Sequence, residues 1–310
     1  YETVTGVNKL KQGTQPAGSM VTKAMNNVQD VGHSNSDGEL SQEDIPEVGN
    51  PISTSNETRE PNPERARKIG KSEFELGFPK ENRASIAVDV PKFTWTNRGS
   101  PDDADNSVRD IYYKAIYTVV RTTPGNVLVC LPSYTEAEWA GELLAEDDRV
   151  KKEILVDTSS SDSETKKLKQ EFVDGPPKVL LTSLRGTLTE GVDFSGDMLS
   201  GVAICGVPIV KTSTDRSDAI EASYDRRFDD KGFEYAFTVP AVRKTRQAIG
   251  RVIRGMDDVG VRVLIDSRYA NSEVFGSVQE YFPEQAMEEF VPIGASDLPL
   301  ELQRFWDQHR

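Results

Sequence analysis

Two cysteines, Cys130 and Cys205, are all that the 310 residues hold. Each lies inside an apolar run, VLVCLP and VAICGV, the setting of a buried, reduced thiol on a strand. A single pair cannot build a disulfide framework or a cysteine metal cluster, so no metal site is expected. No apolar stretch approaches the ~20 residues that cross a bilayer. The opening YETVTGVNKL has no methionine, no basic start and no apolar leader core. The expectation from these absences is a soluble, cytoplasmic piece of something longer, with no membrane partner. Positive charge is also in deficit, with 37 Lys and Arg against 51 Asp and Glu and a formal net charge of −14. Like charge repels phosphate, so nonspecific binding of nucleic acid over the whole surface is excluded, and any phosphate contact has to be local.

Aromatics and long apolar runs are missing above all from residues 26–70, where Asn, Ser, Pro, Gly and Glu dominate. Such a stretch cannot bury enough apolar area to offset its ordering entropy. It is expected to be a disordered insertion or linker between a short segment, residues 1–25, and a folded domain over residues 71–310. Where it ends, Gly70, Lys71 and Ser72 spell the last three letters of a phosphate loop. Arg65 stands where the first glycine of G-x-x-x-x-G-K-[ST] belongs, and no apolar strand precedes it. The match is one of chance.

Beyond Gly70, β-branched apolar runs recur at residues 84–90, 126–132, 153–157, 178–183, 201–207 and 261–267. Helix-compatible stretches lie between most of them, at 107–121, 134–145, 163–173 and 240–254. Continuous apolar strands alternating with helices predict an α/β fold, a parallel sheet with helices on both faces. In such sheets ligands bind beyond the carboxyl ends of the strands, so the residues that follow each run are the candidates.

Three such places carry chemistry. After the run 178–183 comes LRGTLTEGVDFSG, where Gly186 and Gly191 permit tight turns and Asp193 offers an acceptor to a ribose hydroxyl or an arginine. An ordinary loop with a helix cap explains the same residues equally well. After the run 126–132, Ser133, Tyr134 and Thr135 open a helix. A plain N-cap is the common role there, and a hydroxyl with free amides at a helix start can also take a backbone phosphate. The third place is RQAIGRVIRG, residues 246–255. Between residues 235 and 255 there is no acid at all, while Arg243, Lys244, Arg246, Arg251 and Arg254 accumulate. If Pro240 begins a helix, Arg243, Gln247, Arg251 and Arg254 fall on one face. Val242, Ile249, Val252 and Ile253 then form the stripe that docks it. Gly250 in mid-helix costs about 1 kcal/mol relative to Ala, which implies close approach of a ligand to the backbone. Guanidinium groups bind phosphate bidentately at any physiological pH, so the expected ligand is a polyphosphate.

QAIGRVIRG resembles motif VI of superfamily 2 helicases, Q-x-x-G-R-x-x-R, and TEGVDF resembles motif V in the version of the Rad3/XPD/DinG group. GNVLVCLPSY resembles that group's motif IV, and GVPIV and VLIDSRY occupy the expected places around motifs V and VI. Within the group the likeness is to the Rad3-related DNA helicases of halophilic archaea, which also suits the acidic surface. In that family VTGV follows motif III, so the chain corresponds to the C-terminal half.

The resemblance implies a second RecA-like motor domain of an ATP-dependent DNA helicase serving DNA repair or replication. ATP and Mg2+ would be held mainly by the first RecA-like domain of the same polypeptide. Arg251, Arg254 and Gln247 would act on the γ-phosphate, with Arg254 as the finger. Glu190, Gly191, Asp193 and Gly250 would line the ATP side. Ser133, Tyr134, Thr182, Ser183 and Arg185 would contact single-stranded or forked DNA. No Walker A sequence, acidic D-E-A-H-like box or S-A-T motif occurs in these residues, so this chain alone is expected to be inactive. A noncatalytic RecA-like module that binds nucleic acid or a protein partner is the alternative. It need not keep Gln247, Arg251 and Arg254 together.

Overall fold

The computed structural model describes residues 77–100, 107–158, 161–186, 188, 194, 198–210 and 212–309. All belong to one unit of the chain. The segment expected to be disordered, residues 26–70, and the preceding residues 1–25 lie outside the described residues, as do Glu190, Gly191 and Asp193.

Seven strands form one sheet. They are β1 (Arg83–Asp89), β2 (Val127–Leu131), β3 (Glu153–Val156), β4 (Lys178–Ser183), β5 (Gly201–Cys205), β6 (Gly260–Ile265) and β7 (Val291–Gly294). Their order is β3-β4-β2-β5-β6-β1-β7, and every pairing is parallel. The helices are α1 (Val108–Thr122), α2 (Tyr134–Glu146), α3 (Asp162–Val173), α4 (Asp215–Asp225), α5 (Val239–Ile249), α6 (Ser267–Ala270), α7 (Glu284–Glu288) and α8 (Leu298–Asp307). A π-helical turn, Glu234–Thr238, runs directly into α5.

The strands are apolar throughout because both faces are covered. Along β2, Val127, Val129 and Leu131 enter one core with Tyr112 and Ile116 of α1, Ala137 and Leu144 of α2 and Leu302 of α8. Leu128 and Cys130 enter the opposite core with Phe172 of α3 and Val242 and Ile249 of α5. Each fully buried Val, Leu or Ile contributes roughly 1.5–3 kcal/mol, and the period of two decides which core receives it. Helix starts follow local chemistry. The Ser107 hydroxyl accepts from the Asp110 amide at 3.2 Å, and the Ser133 hydroxyl from the Glu136 amide at 3.3 Å. The fold is therefore the parallel α/β sheet with helices on both faces that the pattern predicts, in the RecA-like form that the motif resemblance implies.

One element departs from expectation. The predicted helix over residues 240–254 ends at Ile249, and Gly250 is its C-cap, in ordinary right-handed geometry (φ −70°, ψ −1°). Glycine is a poor helix former and two β-branched residues follow it, so the chain turns where continuation is least favoured. The Gly250 amide still donates to Arg246 O at 3.0 Å, and those of Arg251 and Val252 make shorter-range bonds to Ala248 O and Ile249 O. Gly250 is therefore a terminator, and the mid-helix cost ascribed to it does not arise. Arg251 and Arg254 lie beyond the helix and do not extend the face that carries Arg243 and Gln247.

Candidate nucleotide and nucleic-acid site

The carboxyl ends of β2 and β4 bring one group of predicted residues together. These strands are neighbours with Leu131 opposite Ser183, and the Leu184 amide donates to Leu131 O at 2.9 Å. Ser133 and Tyr134 therefore stand beside Arg185 and Gly186. A β-carbon at Gly186 would come within 2.5 Å of the Tyr134 hydroxyl. Only glycine lets the phenol lie against that turn. Arg185 is exposed, and Ser133 and Tyr134 are half-buried.

Thr182 and Ser183 belong to the same edge from the inside. Thr182 is fully buried, and its hydroxyl donates to Asp157 Oδ2 at 2.7 Å. The Ser183 hydroxyl, also buried, accepts from the Arg185 amide at 3.3 Å. Direct contact with a nucleic-acid strand, expected of both, does not fit their burial. They hold the turn that presents Arg185. Asp157, at the end of β3, is a supporting residue the sequence did not point to, since only the strand pairing places it beside Thr182.

A second supporting group lies behind Ser133. Glu136, in the first turn of α2, is 1% exposed and takes both Arg109 nitrogens, at 2.5 and 2.9 Å, and Arg98 at 2.9 Å. The Arg109 guanidinium also lies 4.7 Å from the centre of the Trp139 ring. Burial holds Arg98 below its ordinary pKa, the Glu136 carboxylate opposes that shift, and Arg109 adds to it. The start of α2 is thus fixed to α1 and to the loop after β1 at the point where Ser133 and Tyr134 are displayed.

The arginine segment sits elsewhere. α5 runs from the carboxyl edge of the sheet to its amino edge. Near its middle the Thr245 hydroxyl is 3.0 Å from that of Tyr269, which donates to Gly206 O, just past β5. After the helix, Val252 packs on Gly260, the first residue of β6. Met256 O accepts from Asn82 Nδ2 at 3.1 Å, just before β1. Arg251 and Arg254 therefore lie toward the amino edge, opposite Ser133 and Arg185. The rule that ligand-binding residues follow the strands holds for Ser133, Tyr134 and Arg185 and fails for Arg251 and Arg254.

Within that segment the two arginines differ. Arg251 is 6% exposed, and burial holds its guanidinium below the ordinary pKa, partly opposed by the Cys130 thiol. Arg254 is exposed, on a turn fixed by Asp258, whose Oδ2 accepts both the Arg254 and Gly255 amides at 2.8 Å. Gln247 and Arg243 are exposed on α5. Arg246 is half-buried, and burial and the nearby charge of Arg243 both lower its pKa. Cys130 and Cys205 are buried thiols, as expected, and burial raises Cys130 to about 12.

Among the described residues no group of three or more His, Cys, Asp or Glu is placed to hold a metal ion. No helix among the described residues is long and apolar enough to cross a membrane.

The fold and the two groups of residues define a RecA-like α/β domain of the kind found in helicase motors. The chain belongs to the helicase C-terminal domain family, which matches residues 116–286. It is 28% identical over 210 residues to the general transcription and DNA repair factor IIH helicase subunit XPD of Schizosaccharomyces pombe, covering 64% of this chain and 26% of that protein. It is 30% identical over 171 residues to the regulator of telomere elongation helicase 1 homolog of Drosophila yakuba, covering 51% of this chain and 17% of that one. Likeness to the ATP-dependent DNA helicase chl1 of Neosartorya fischeri is 26% over 245 residues, 69% of this chain and 28% of that protein. A solved XPD helicase superposes with a TM-score of 0.47 at 20% identity, over 69% of this chain and 35% of that one. The resemblance to the Rad3 and XPD helicases read from the motifs is borne out. The chain spans between about a sixth and a quarter of the length of the first two of these relatives.

Proposed function

We propose that this chain is the second motor domain of a cytoplasmic ATP-dependent DNA helicase acting in DNA repair or replication. ATP, with Mg2+, is bound chiefly by a first RecA-like domain of the same polypeptide, and Arg254 reaches its γ-phosphate across the cleft. The observation that carries this reading is the exposure of Arg254 on a turn whose amides are tied to Asp258. A guanidinium acting in trans has to be accessible, and it has to be held so that little ordering entropy is lost on contact. Buried Arg251 precedes that turn in the chain, and Gln247 and Gly250 lie at the end of the helix that leads into it. Glu190, Gly191 and Asp193, by resemblance to motif V, couple the nucleotide to the DNA edge. Ser133, Tyr134 and Arg185 take the backbone of a single-stranded or forked DNA, with Thr182 and Ser183 as positioning residues.

The test is DNA-stimulated ATP hydrolysis by the full-length protein. Arg254→Ala is expected to lower kcat by ~10³ or more, since a finger arginine contributes about 10³ to 10⁵. Arg254→Lys is expected to restore little, because a point charge does not reproduce the planar fork. The isolated chain is expected to show no turnover with or without DNA. Near-normal turnover by Arg254→Ala would leave the noncatalytic RecA-like module as the better reading.

A further inference from the structure

Two aromatic rings stand almost wholly in solvent at the carboxyl edge of the sheet, and neither belongs to a helicase motif quoted above. Trp95 is 82% exposed and Phe275 is 92% exposed. Each carries a cation. The Arg98 guanidinium lies 4.5 Å from the Trp95 ring centre, and the Lys92 ammonium lies 5.2 Å from that of Phe275 and donates to the Phe275 carbonyl. Lys92 and Trp95 are three residues apart, so at most roughly 10 Å of chain joins the two ring–cation pairs. A lone exposed aromatic is unremarkable on a protein surface. Two on neighbouring loops, each paired with a cation and presented by a chain of net charge −14, form a surface of definite chemistry.

The surface adjoins the proposed DNA edge. The loop bearing Trp95 and Arg98 is tied to α2 by the ion pair from Arg98 to Glu136, and the Glu136 amide in turn donates to the Ser133 hydroxyl. Its backbone is shaped by the turn in which the Asn97 and Arg98 amides donate to Thr94 O at 3.1 and 3.0 Å. Its charge is positive but modest. Arg98 and Arg109 share the one carboxylate of Glu136, leaving one net charge, and Lys92 adds a second. Glu273 is exposed on the Phe275 loop, and Asp102, Asp103 and Asp105 follow Arg98 in the sequence. Attraction for phosphate is therefore weak here, and the faces of the rings are the main offering. Bases stack on aromatic and guanidinium faces whatever their sequence.

We propose that Trp95 and Phe275, flanked by Arg98 and Lys92, form a base-stacking platform that receives the bases of a single strand whose backbone lies on Ser133, Tyr134 and Arg185. This rests on the reading of that edge as the DNA-binding one. It adds what the motif residues lack: a sequence-tolerant grip on the bases, beside contacts made only to the backbone.

The experiment uses the full-length protein and the anisotropy of a labelled short oligothymidylate, with an abasic strand of the same length as control. Both side chains are exposed, so folding is not at risk. Trp95→Ala and Phe275→Ala are each expected to weaken oligothymidylate binding about 5- to 150-fold. Trp95→Phe should stay near wild type, and affinity for the abasic strand should be unchanged. Alanine variants that bind oligothymidylate within about twofold of wild type would overturn the platform while leaving the DNA edge intact. Equal loss on both strands would also overturn it, by showing that the rings contact another part of the protein. A wild-type protein that binds neither strand would remove the reading of the edge itself.

Discussion

At the residue scale, Glu136 matters through what its removal would leave behind. It is buried, and Arg109, also buried, and Arg98 both depend on its carboxylate. A buried pair contributes little beyond what an apolar replacement would, but deleting one partner leaves uncompensated charge, at about 3–5 kcal/mol. Glu136→Ala is therefore expected to destabilise the domain by about that amount in urea denaturation. It is also expected to weaken single-strand binding in the variant that still folds, because the Trp95 loop loses its tether to α2. A loss of stability under about 1 kcal/mol would show that Arg109 is satisfied by its place over Trp139 and its bond to Gly99 O. None of this was legible in the sequence. Arg98, Arg109 and Glu136 belong to no motif, and only the crossover from β1 to β2 brings them together. Ser133 was legible, because capping is a local property and needs no tertiary partner.

At the element scale, legibility follows the range of the forces that set each boundary. Six strands and three helices fell within two residues of expectation, since apolar periodicity and caps act over a few residues. β7 was missed because Pro292 and Gly294 interrupt its pattern, and it forms by pairing with β1. α4, α6, α7 and α8 were missed as well. The end of α5 was misplaced because Val252 and Ile253 continue an apolar stripe that serves a helix and a buried turn equally. The structure places Gly250 at that end in right-handed geometry, exposed, with a β-carbon meeting only Arg246 O at 3.2 Å and Gln247 O at 3.8 Å. Gly250→Ala is thus expected to change stability by less than about 1 kcal/mol, the size of the glycine–alanine difference in helix propensity. A midpoint shift in urea well beyond that would mean that the segment from Arg251 to Arg254 requires a conformation alanine cannot adopt. In that case ATP turnover would fall with it.

At the scale of the whole molecule, the acidic surface and the two separated sets of cations are one arrangement. With a net charge of −14, the chain repels phosphate except where arginine and lysine are concentrated. The arginines near the amino edge and the cations of the carboxyl edge lie at opposite ends of the parallel strands. On the proposed reading, such a domain binds a strand by few ionic contacts and relies on stacking for the rest. Each phosphate neutralised on a single strand adds about −0.7 to the slope of log K against log salt. With Arg185, Lys92 and the partly neutralised Arg98 as its cations, this edge should contribute a slope of only about −1.5 to −2. Single substitutions separate the two components. In the full-length protein Arg185→Ala should make the oligothymidylate slope shallower by about 0.7. Trp95→Ala should lower affinity equally at every salt concentration and leave the slope as it was, because stacking releases no counterions. If Trp95→Ala altered the slope and Arg185→Ala did not, the assignment of backbone contact to one group and base contact to the other would be reversed.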